Sequence, residues 1–399
     1  MVRPGRLPAN AMPEMSFPVG AATLAEIYGG GADDFPLDPD EWEARAKAVL
    51  APGPFDYIAG GAGGESTMRA NREAFARWRL RPAMLAGNQQ RDLHVSVLGT
   101  SSPTPFFLAP VGVLSAARPD GDLAVARAAA AAGVPWLVST AASAPMETIA
   151  TEMGTAPRWY QLYWVSDREV VASLVHRAEA AGYAAIVLTL DTLQLGWRDR
   201  DLRNRYLPFI LGEGIGQFTS DPVFRSRLSV APEDDPRGAG AAMVGMFSNL
   251  GLRWDDLAWL RERTRLPLLA KGVLRADDAR RVLDAGFQGV IVSNHGGRQV
   301  DGAVAALDAL VEVRDALGDN AVLLMDSGIR RGADVIKALA LGANAVLLGR
   351  PYVYGLAVAG QTGVERVIRN LMAEIDLTLA LIGGRDVKAL DRSWIILRP

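Results

Sequence analysis

Val322-Leu323-Leu324-Met325-Asp326-Ser327-Gly328-Ile329-Arg330 opens the stretch on which the fold turns; Gly332 to Gly342 continues it, and Val346-Leu347-Leu348-Gly349-Arg350 closes it. A short apolar run ends in polar and small residues. A helical stretch follows in which Val335, Ile336 and Leu339 share one face, Gly342 stops it, and a new apolar run starts at Val346. The apolar runs are continuous rather than alternating, which suits parallel strands buried on both faces. The unit is strand, helix, strand.

Working outward, the same unit recurs from about residue 105. The spacing predicts strands at Phe106–Pro110, Trp136–Thr140, Trp159–Tyr163, Ala185–Asp191, Leu268–Gly272, Val290–Asn294, Val322–Asp326 and Val346–Arg350. After the third, Ser166 and Glu169 read as a capping box, Val170, Val171, Leu174, Val175 and Ala178 as one helix face, and Gly182 as its stop. A doubly wound sheet usually announces itself by a G-x-G-x-x-G turn after its first strand. Here that turn is Val111-Gly112-Val113-Leu114, and the nearest candidate, Gly212-Glu213-Gly214-Ile215-Gly216, follows no strand. Eight units without the motif predict a closed (β/α)8 TIM barrel.

The barrel accounts for residues 101–399. Residues 1–100 read as an N-terminal helical segment packed on it, with one helix from Pro39 to Leu50, Asp38 as N-cap and Pro39 at the first helical position, and another at Ser66–Ala76. Residues 192–250, rich in Arg, Asp, Gly and Pro, read as an irregular insertion after the fourth strand. It falls on the C-terminal face, where barrel active sites form, and is expected to be an active-site lid, an oligomer contact or both.

With 42 basic and 45 acidic residues the net charge is −3, so no global field draws phosphate backbones or anionic lipid, and nucleic acid is excluded as a partner. The absence of cysteine removes disulfides, thiolate metal sites and cysteine nucleophiles, and fits a reducing cytoplasm. Only His94, His176 and His295 are available, so a zinc site would need carboxylates almost throughout and no metal is expected. Met1 to Phe17 hold no signal-peptide core. The apolar runs break within about ten residues, short of the roughly 20 needed to span a bilayer. A soluble, cytoplasmic protein without a membrane partner is the expectation.

The chemistry-bearing residues cluster at predicted strand ends. Ser293-Asn294-His295-Gly296-Gly297-Arg298-Gln299 ends the sixth strand, and its two glycines permit a tight turn that returns Arg298 to the side of His295. That reads as a general base beside a carboxylate-binding guanidinium, against a bland alternative of a backbone-satisfied histidine and a solvated arginine. Asp191, after Thr189-Leu190, either orients a facing histidine or caps a turn. Arg198, in Gly196-Trp197-Arg198, either joins the site or belongs to a surface charge run. Lys271 needs an anionic partner, which is a ligand or a barrel carboxylate such as Asp326. Gly328 with Arg330, and Gly349 with Arg350, read as the phosphate cradle of the last two βα loops, against ordinary turn glycines. Ser139 and Thr140, and Gln161 and Tyr163, which point to one side of their strand, offer hydrogen bonds to a ring system or carboxylate. Tyr57, ahead of Gly60-Gly61-Ala62-Gly63-Gly64, either reaches the mouth or packs. His94 and His176 read as structural.

These residues, from about residue 40 onward, resemble the FMN-dependent 2-hydroxy acid oxidase and dehydrogenase family, with Ser293–Gln299 as the most specific motif. Within it the likeness is to the lactate 2-monooxygenase branch, through Gly196-Trp197-Arg198, Leu207-Pro208-Phe209, Ser220-Asp221-Pro222 and the ending Leu397-Arg398-Pro399. The resemblance implies that His295 accepts the hydroxyl proton as C2 gives hydride to flavin N5, with Asp191 supporting the imidazolium. It implies that Arg298, Arg198, Tyr57 and Tyr163 hold the substrate, and that Lys271 stabilises negative charge near flavin N1. Ala109, Ser139, Gln161, Thr189, Ser293 and Asp326 would hold the ring and ribityl chain, and Gly328, Arg330, Gly349 and Arg350 the phosphate. The implied partners are a small 2-hydroxy acid such as L-lactate, oxygen, and further copies of the chain in a tetramer or octamer. Oxidative decarboxylation to acetate is the implied outcome; release of 2-oxo acid and hydrogen peroxide, transfer to a quinone, and a non-catalytic barrel binding a phosphorylated ligand are the alternatives. Ala141 departs from glycolate oxidase-like members, which carry tryptophan there.

Overall fold

The computed structural model describes residues 18–30 and 34–398. Met1 to Phe17 and Pro399, used above for the signal-peptide and chain-end readings, lie outside the described residues.

Eight strands close into a parallel barrel: β1 (Phe106–Leu108), β2 (Trp136–Ser139), β3 (Arg158–Tyr163), β4 (Ile186–Thr189), β5 (Leu268–Val273), β6 (Gly289–Val292), β7 (Val322–Met325) and β8 (Ala345–Leu348). Closure is made by β8 against β1, with Val346 opposite Phe106 and Leu348 opposite Leu108. Their uninterrupted apolar runs are buried throughout β1, β2, β4, β6 and β8, as strands packed between a barrel interior and covering helices must be. Several strands end short of the sequence expectation. Past Leu108 and Thr189, Ala109 N–H still donates to Leu348 O and Leu190 N–H to Lys271 O, yet the chain already curves away into the mouth. Those last residues are site rather than sheet.

The helix after β3 covers Arg168–Ala180 and buries Val170, Val171, Leu174, Val175 and Ala178. Its cap is Asp167, whose carboxylate accepts from the amides of Glu169 and Val170. Ser166 does not cap it: the helix starts one residue later, at Arg168, and Ser166 N–H donates to Met246 O from the insertion. Asp38 and Pro39 start the helix Pro39–Val49 as expected.

The N-terminal segment is sewn to the far end of the chain. Trp78–Leu80 pairs antiparallel with Ile395–Leu397, and Arg91 forks onto Asp376 at 2.6 and 2.9 Å. Residues 192–250 are more regular than their composition suggests. They carry helices at Asp199–Asn204, Gly216–Thr219, Pro222–Arg225 and Pro236–Phe247, with a 3₁₀ turn at Pro208–Leu211. Proline at the first turn and a preceding aspartate cap start two of them, Asp221 before Pro222 and Asp235 before Pro236. No helix among the described residues is long and apolar enough to cross a membrane.

Candidate active site

The turn after β6 is built to present a histidine. His295 adopts φ +58°, a conformation uncommon for a residue with a Cβ, and Gly296 and Gly297 follow at +64° and +75°. The turn is fixed from several sides. Asn294 accepts from Gly297 N–H and exchanges amide hydrogen bonds with the buried Asn71, Ser327 Oγ accepts from Gly296 N–H, and Ser293 Oγ accepts from His295 N–H.

His295 Nδ1 lies 2.8 Å from Asp191 Oδ1 at the end of β4. With Nδ1–H donating to the carboxylate, Nε2 is left as an acceptor. Thr192 Oγ1 donates to the same carboxylate oxygen at 2.7 Å. Burial pulls the imidazole below its ordinary range despite Asp191, with Lys271 adding to the effect, so the ring is neutral near pH 7. Burial alone would raise Asp191, but the charges of His295 and Lys271 outweigh it and hold the carboxyl down at about 2. Gly272, at φ +96°, leaves room for that carboxylate, since a Cβ there would stand 2.6 Å from Asp191 Cγ.

Lys271, buried on β5, donates to Ser293 Oγ at 3.0 Å and pairs with Asp326 at 3.3 Å. Burial works against its charge, yet Asp326 and Asp191 more than offset that and raise it. The barrel-carboxylate alternative is therefore realised, with the ammonium still lining the cleft.

The arginines behave otherwise. Arg298 donates to the carbonyls of Tyr57 and Gly60 at 2.6 and 2.9 Å and lies 5.1 Å from the Tyr57 ring centroid. Among the described residues it has no carboxylate within ion-pair distance, and burial, with Arg198 nearby, lowers it to about 9. Arg198 binds Gln299 Oε1 and Arg298 O, and meets Asp201 only at 3.8 Å. Arg330, lowered to about 10 chiefly by burial, donates to Ile329 O alone. Arg350 reaches the carbonyls of Ile58, Gly60 and Gly296. Neither has a carboxylate partner among the described residues. Half-buried guanidinium groups without a carboxylate partner, beside Gly328 and Gly349, have the chemistry to suit a phosphoryl dianion.

One cleft of about 1060 Å³ joins these groups. Tyr57, Ala109, Tyr163, Arg198, Lys271, His295, Arg298, Asp326, Gly328, Arg330, Gly349 and Arg350 line it. Ser139, Gln161, Thr189, Ser293 and Asp191 do not; they form a layer beneath. In that layer Ser139 Oγ donates to Gln161 Oε1 and Gln161 Nε2 to Thr189 Oγ1, across three adjacent strand ends. His94 and His176 are exposed and away from the cleft.

Sequence reasoning missed several members. Phe209, Phe247 and Leu195 from the insertion wall the cleft opposite Ala141, and Phe247 meets Tyr163 edge to face at 5.0 Å. Asn71, Thr192 and Ser327 hold the catalytic turn. Ser327 and Phe209 sat inside quoted stretches, so their signal was available; Phe247 and Leu195 gave none.

Comparison with known proteins agrees with this geometry. The FMN-dependent dehydrogenase family model matches residues 46–397. The chain is 43% identical over 358 residues to the FMN-dependent alpha-hydroxy acid dehydrogenase qulF of Penicillium citrinum, covering 89% of each. It is 41% identical over 358 residues to an L-lactate oxidase of Lysinibacillus sphaericus (strain C3-41), covering 89% of this chain and 92% of that one. Among solved structures, an oxidised active mutant of (S)-mandelate dehydrogenase superposes with a TM-score of 0.83 at 38% identity, covering 91% of this chain and 100% of the other. The chain belongs to the FMN-dependent dehydrogenase family and is an FMN-dependent oxidoreductase of 2-hydroxy acids.

Proposed function

We propose that the protein oxidises short (S)-2-hydroxy acids, L-lactate foremost, with oxygen as the oxidant, and that acetate and carbon dioxide are its main products. The observation that carries the first half is a neutral, half-buried His295 tied to Asp191 and sharing a cleft with Arg298, a guanidinium without a carboxylate partner among the described residues. Arg298 and Arg198, with the hydroxyls of Tyr57 and Tyr163, take the substrate carboxylate and hydroxyl, which sets the C2–OH toward Nε2. His295 accepts the hydroxyl proton, and Asp191 stabilises the imidazolium that results.

The residues of the cleft fit FMN: Arg330 and Arg350 with Gly328 and Gly349 suit its phosphate, Lys271 the ring near N1, and Ala109, Ser139, Gln161, Thr189, Ser293 and Asp326 the ring and ribityl chain. FMN, when bound, supplies the acceptor for the hydride from C2 and then the electrons for oxygen.

Decarboxylation rests on retention. If pyruvate is still bound when hydrogen peroxide forms, peroxide oxygen bonds to pyruvate C2, the C1–C2 and O–O bonds break, and acetate, carbon dioxide and water leave. The 192–250 segment supports this reading as a lid, because Leu195, Phe209 and Phe247 wall the cleft from above and two of its glycines pack tightly. A Cβ at Gly216 would lie 2.2 Å from Ser143 O, and one at Gly240 2.0 Å from Phe209 O. A homo-oligomer and a cytoplasmic site of action belong to the same reading. The second reading, release of pyruvate and peroxide, is favoured by the likeness to an L-lactate oxidase.

Turnover of carbon-labelled L-lactate with catalase present separates the two, since catalase removes only peroxide that has left the site. Labelled carbon dioxide matching lactate consumed is expected. Stoichiometric pyruvate with little labelled carbon dioxide would make the protein an oxidase.

A further inference from the structure

Asp122 is a buried carboxylate that the chemistry above does not use. It lies on the helix Gly121–Ala132, 2% exposed, and one of its oxygens, Oδ1, has no hydrogen-bond partner. Its other oxygen, Oδ2, accepts from the amides of Ser143 and Ala144 at 2.7 and 3.0 Å. Both amides belong to the turn that follows β2, the same turn that brings Ala141 to the wall of the cleft.

That turn is also the seat of the insertion. Gly214 N–H donates to Ser143 Oγ, Gly216 N–H to Ala142 O and Gln217 Nε2 to Ala144 O, while Met146 N–H donates back to Gln217 Oε1. Gly214 and Gly216 approach so closely that a Cβ on either would collide, with Val113 Cγ2 at 2.5 Å and Ser143 O at 2.2 Å. On its inner side the turn holds Val113 N–H through Ala141 O at 2.7 Å. A displacement of Ser143 and Ala144 would therefore move the Ala141 wall and the base of the covering segment together.

We propose that Asp122 is a positioning residue for substrate binding, its carboxylate fixing the turn at 141–145 on which the pocket wall and the residue 214–217 seat both depend. A carboxylate accepting two backbone amides makes charge-assisted bonds, stronger than those of a neutral acceptor. Burial pushes Asp122 up to about 6, and the two amides only partly counter this. No basic side chain pairs with it among the described residues. The titratable groups that feel its charge are Tyr183 and Tyr352, both kept protonated by burial. The sign is informative. A raised carboxyl means the fold binds this proton more tightly than the unfolded chain does, so stability falls as pH rises through about 6. An ionised Asp122 therefore costs stability at neutral pH, and it is the two amide bonds to the turn that give it a positioning role.

The proposal rests on 2-hydroxy acid oxidation, and its test reads one property that does not. In the FMN-loaded protein, Asp122→Asn should exchange amide hydrogens faster in peptides covering 141–146 and 214–217, and unchanged in those covering 322–348. Anaerobic flavin bleaching by L-lactate should give an apparent Kd about tenfold weaker, the worth of roughly one hydrogen bond to a charged group, with the limiting reduction rate within about twofold. Wild-type affinity should weaken as pH drops below 6, and the variant should lack that step while keeping any step that belongs to His295. If the variant does not fold, the same pH step in wild-type exchange over 141–146 and 214–217 decides the matter. Unchanged exchange in both segments overturns the proposal. So does faster exchange with unchanged lactate affinity, which would leave Asp122 a structural residue only. Failure of every 2-hydroxy acid to bleach wild-type flavin would count against the oxidation reading instead, and the exchange result would still stand for or against Asp122.

Discussion

Within one cleft, the centre and the two ends hold charge in opposite ways. At the centre, His295 leans on Asp191 and Lys271 on Asp326, so each basic group has an acidic neighbour within 3.3 Å. At the ends, Arg298, Arg330 and Arg350 lie half-buried against backbone carbonyls, Arg298 and Arg350 sharing that of Gly60, and none has a carboxylate partner among the described residues. Burial lowers the basic groups throughout, bringing Arg298 to about 9 and Arg330 to about 10 and lowering His295 despite Asp191; only at Lys271 do the carboxylates, Asp326 and Asp191, more than offset it. A balanced centre can move a proton without gaining or losing stability to an unpaired charge. Guanidinium groups without a carboxylate partner suit anionic ligands, here a phosphate and a carboxylate.

The strongest test of the centre is His295→Gln, which should fold and keep FMN yet lose flavin reduction by at least about 100-fold, the low end of a general-base contribution. Stopped-flow anaerobic reduction measures it, and near-normal reduction would move the base elsewhere. The pH profile sharpens the point. Burial lowers His295, so the base stays unprotonated as pH falls to 6.5, and kcat/KM should decline only below that. A break above pH 7 would contradict the geometry.

The ends should respond next. Arg330→Ala and Arg350→Ala each remove a guanidinium from the phosphate site, and FMN affinity should drop by about tenfold or more, in the range of hydrogen bonds to charged groups. Arg298→Ala should leave FMN occupancy intact and weaken L-lactate binding instead. Absorbance of the purified proteins and equilibrium dialysis against FMN distinguish these cases. Full occupancy in both phosphate-end variants would remove the comparison between centre and ends.

How much of this was legible before the structure follows from where the signals lie. Most barrel strands were readable because they are short apolar runs, only Arg158–Tyr163 and Leu268–Val273 carrying charged or polar residues within theirs, and the strand-end residues because polarity returns abruptly after them. His295 and Arg298 stood out for the same reason, with two glycines between them. The helices of 192–250 were not readable. Three of the pieces have four residues, too few for a helical period to emerge, and in the twelve-residue Pro236–Phe247 three glycines break up the apolar face. Asp167 rather than Ser166 caps its helix because the helix starts one residue later than the Ser166–Glu169 pattern suggests, a shift within the ordinary scatter of helix ends. Asn71, Thr192 and Asp122 are polar residues in helical or loop contexts, and only the approach of distant chain segments gives them their partners.

The smallest effect expected concerns the covering segment, and it bears on how the products leave. Phe247 lies at the end of the helix Pro236–Phe247, is 9% exposed, and places its ring against Tyr163 with Phe209 stacked behind it at 6.4 Å. Truncating it to alanine costs packing, but the helix keeps its Asp235 cap and its contacts through Ala239 and Met243, so the segment should still fold over the barrel. What is lost is the ring that closes the cleft beside Tyr163. Product escape should quicken, while proton transfer to His295 should change little because Phe247 offers no group that gives or takes a proton. The expected result is a shift of the acetate-to-pyruvate ratio toward pyruvate by a few-fold, about the change that a loss of ~1 kcal/mol in product retention would give. Peroxide appearing in solution should rise in step. Phe247→Leu, which keeps an apolar plug, should fall between the two. An unchanged ratio in Phe247→Ala, together with unchanged anaerobic reduction, would mean that retention does not depend on this wall and that the division of labour between a chemical centre and a closing rim is drawn in the wrong place.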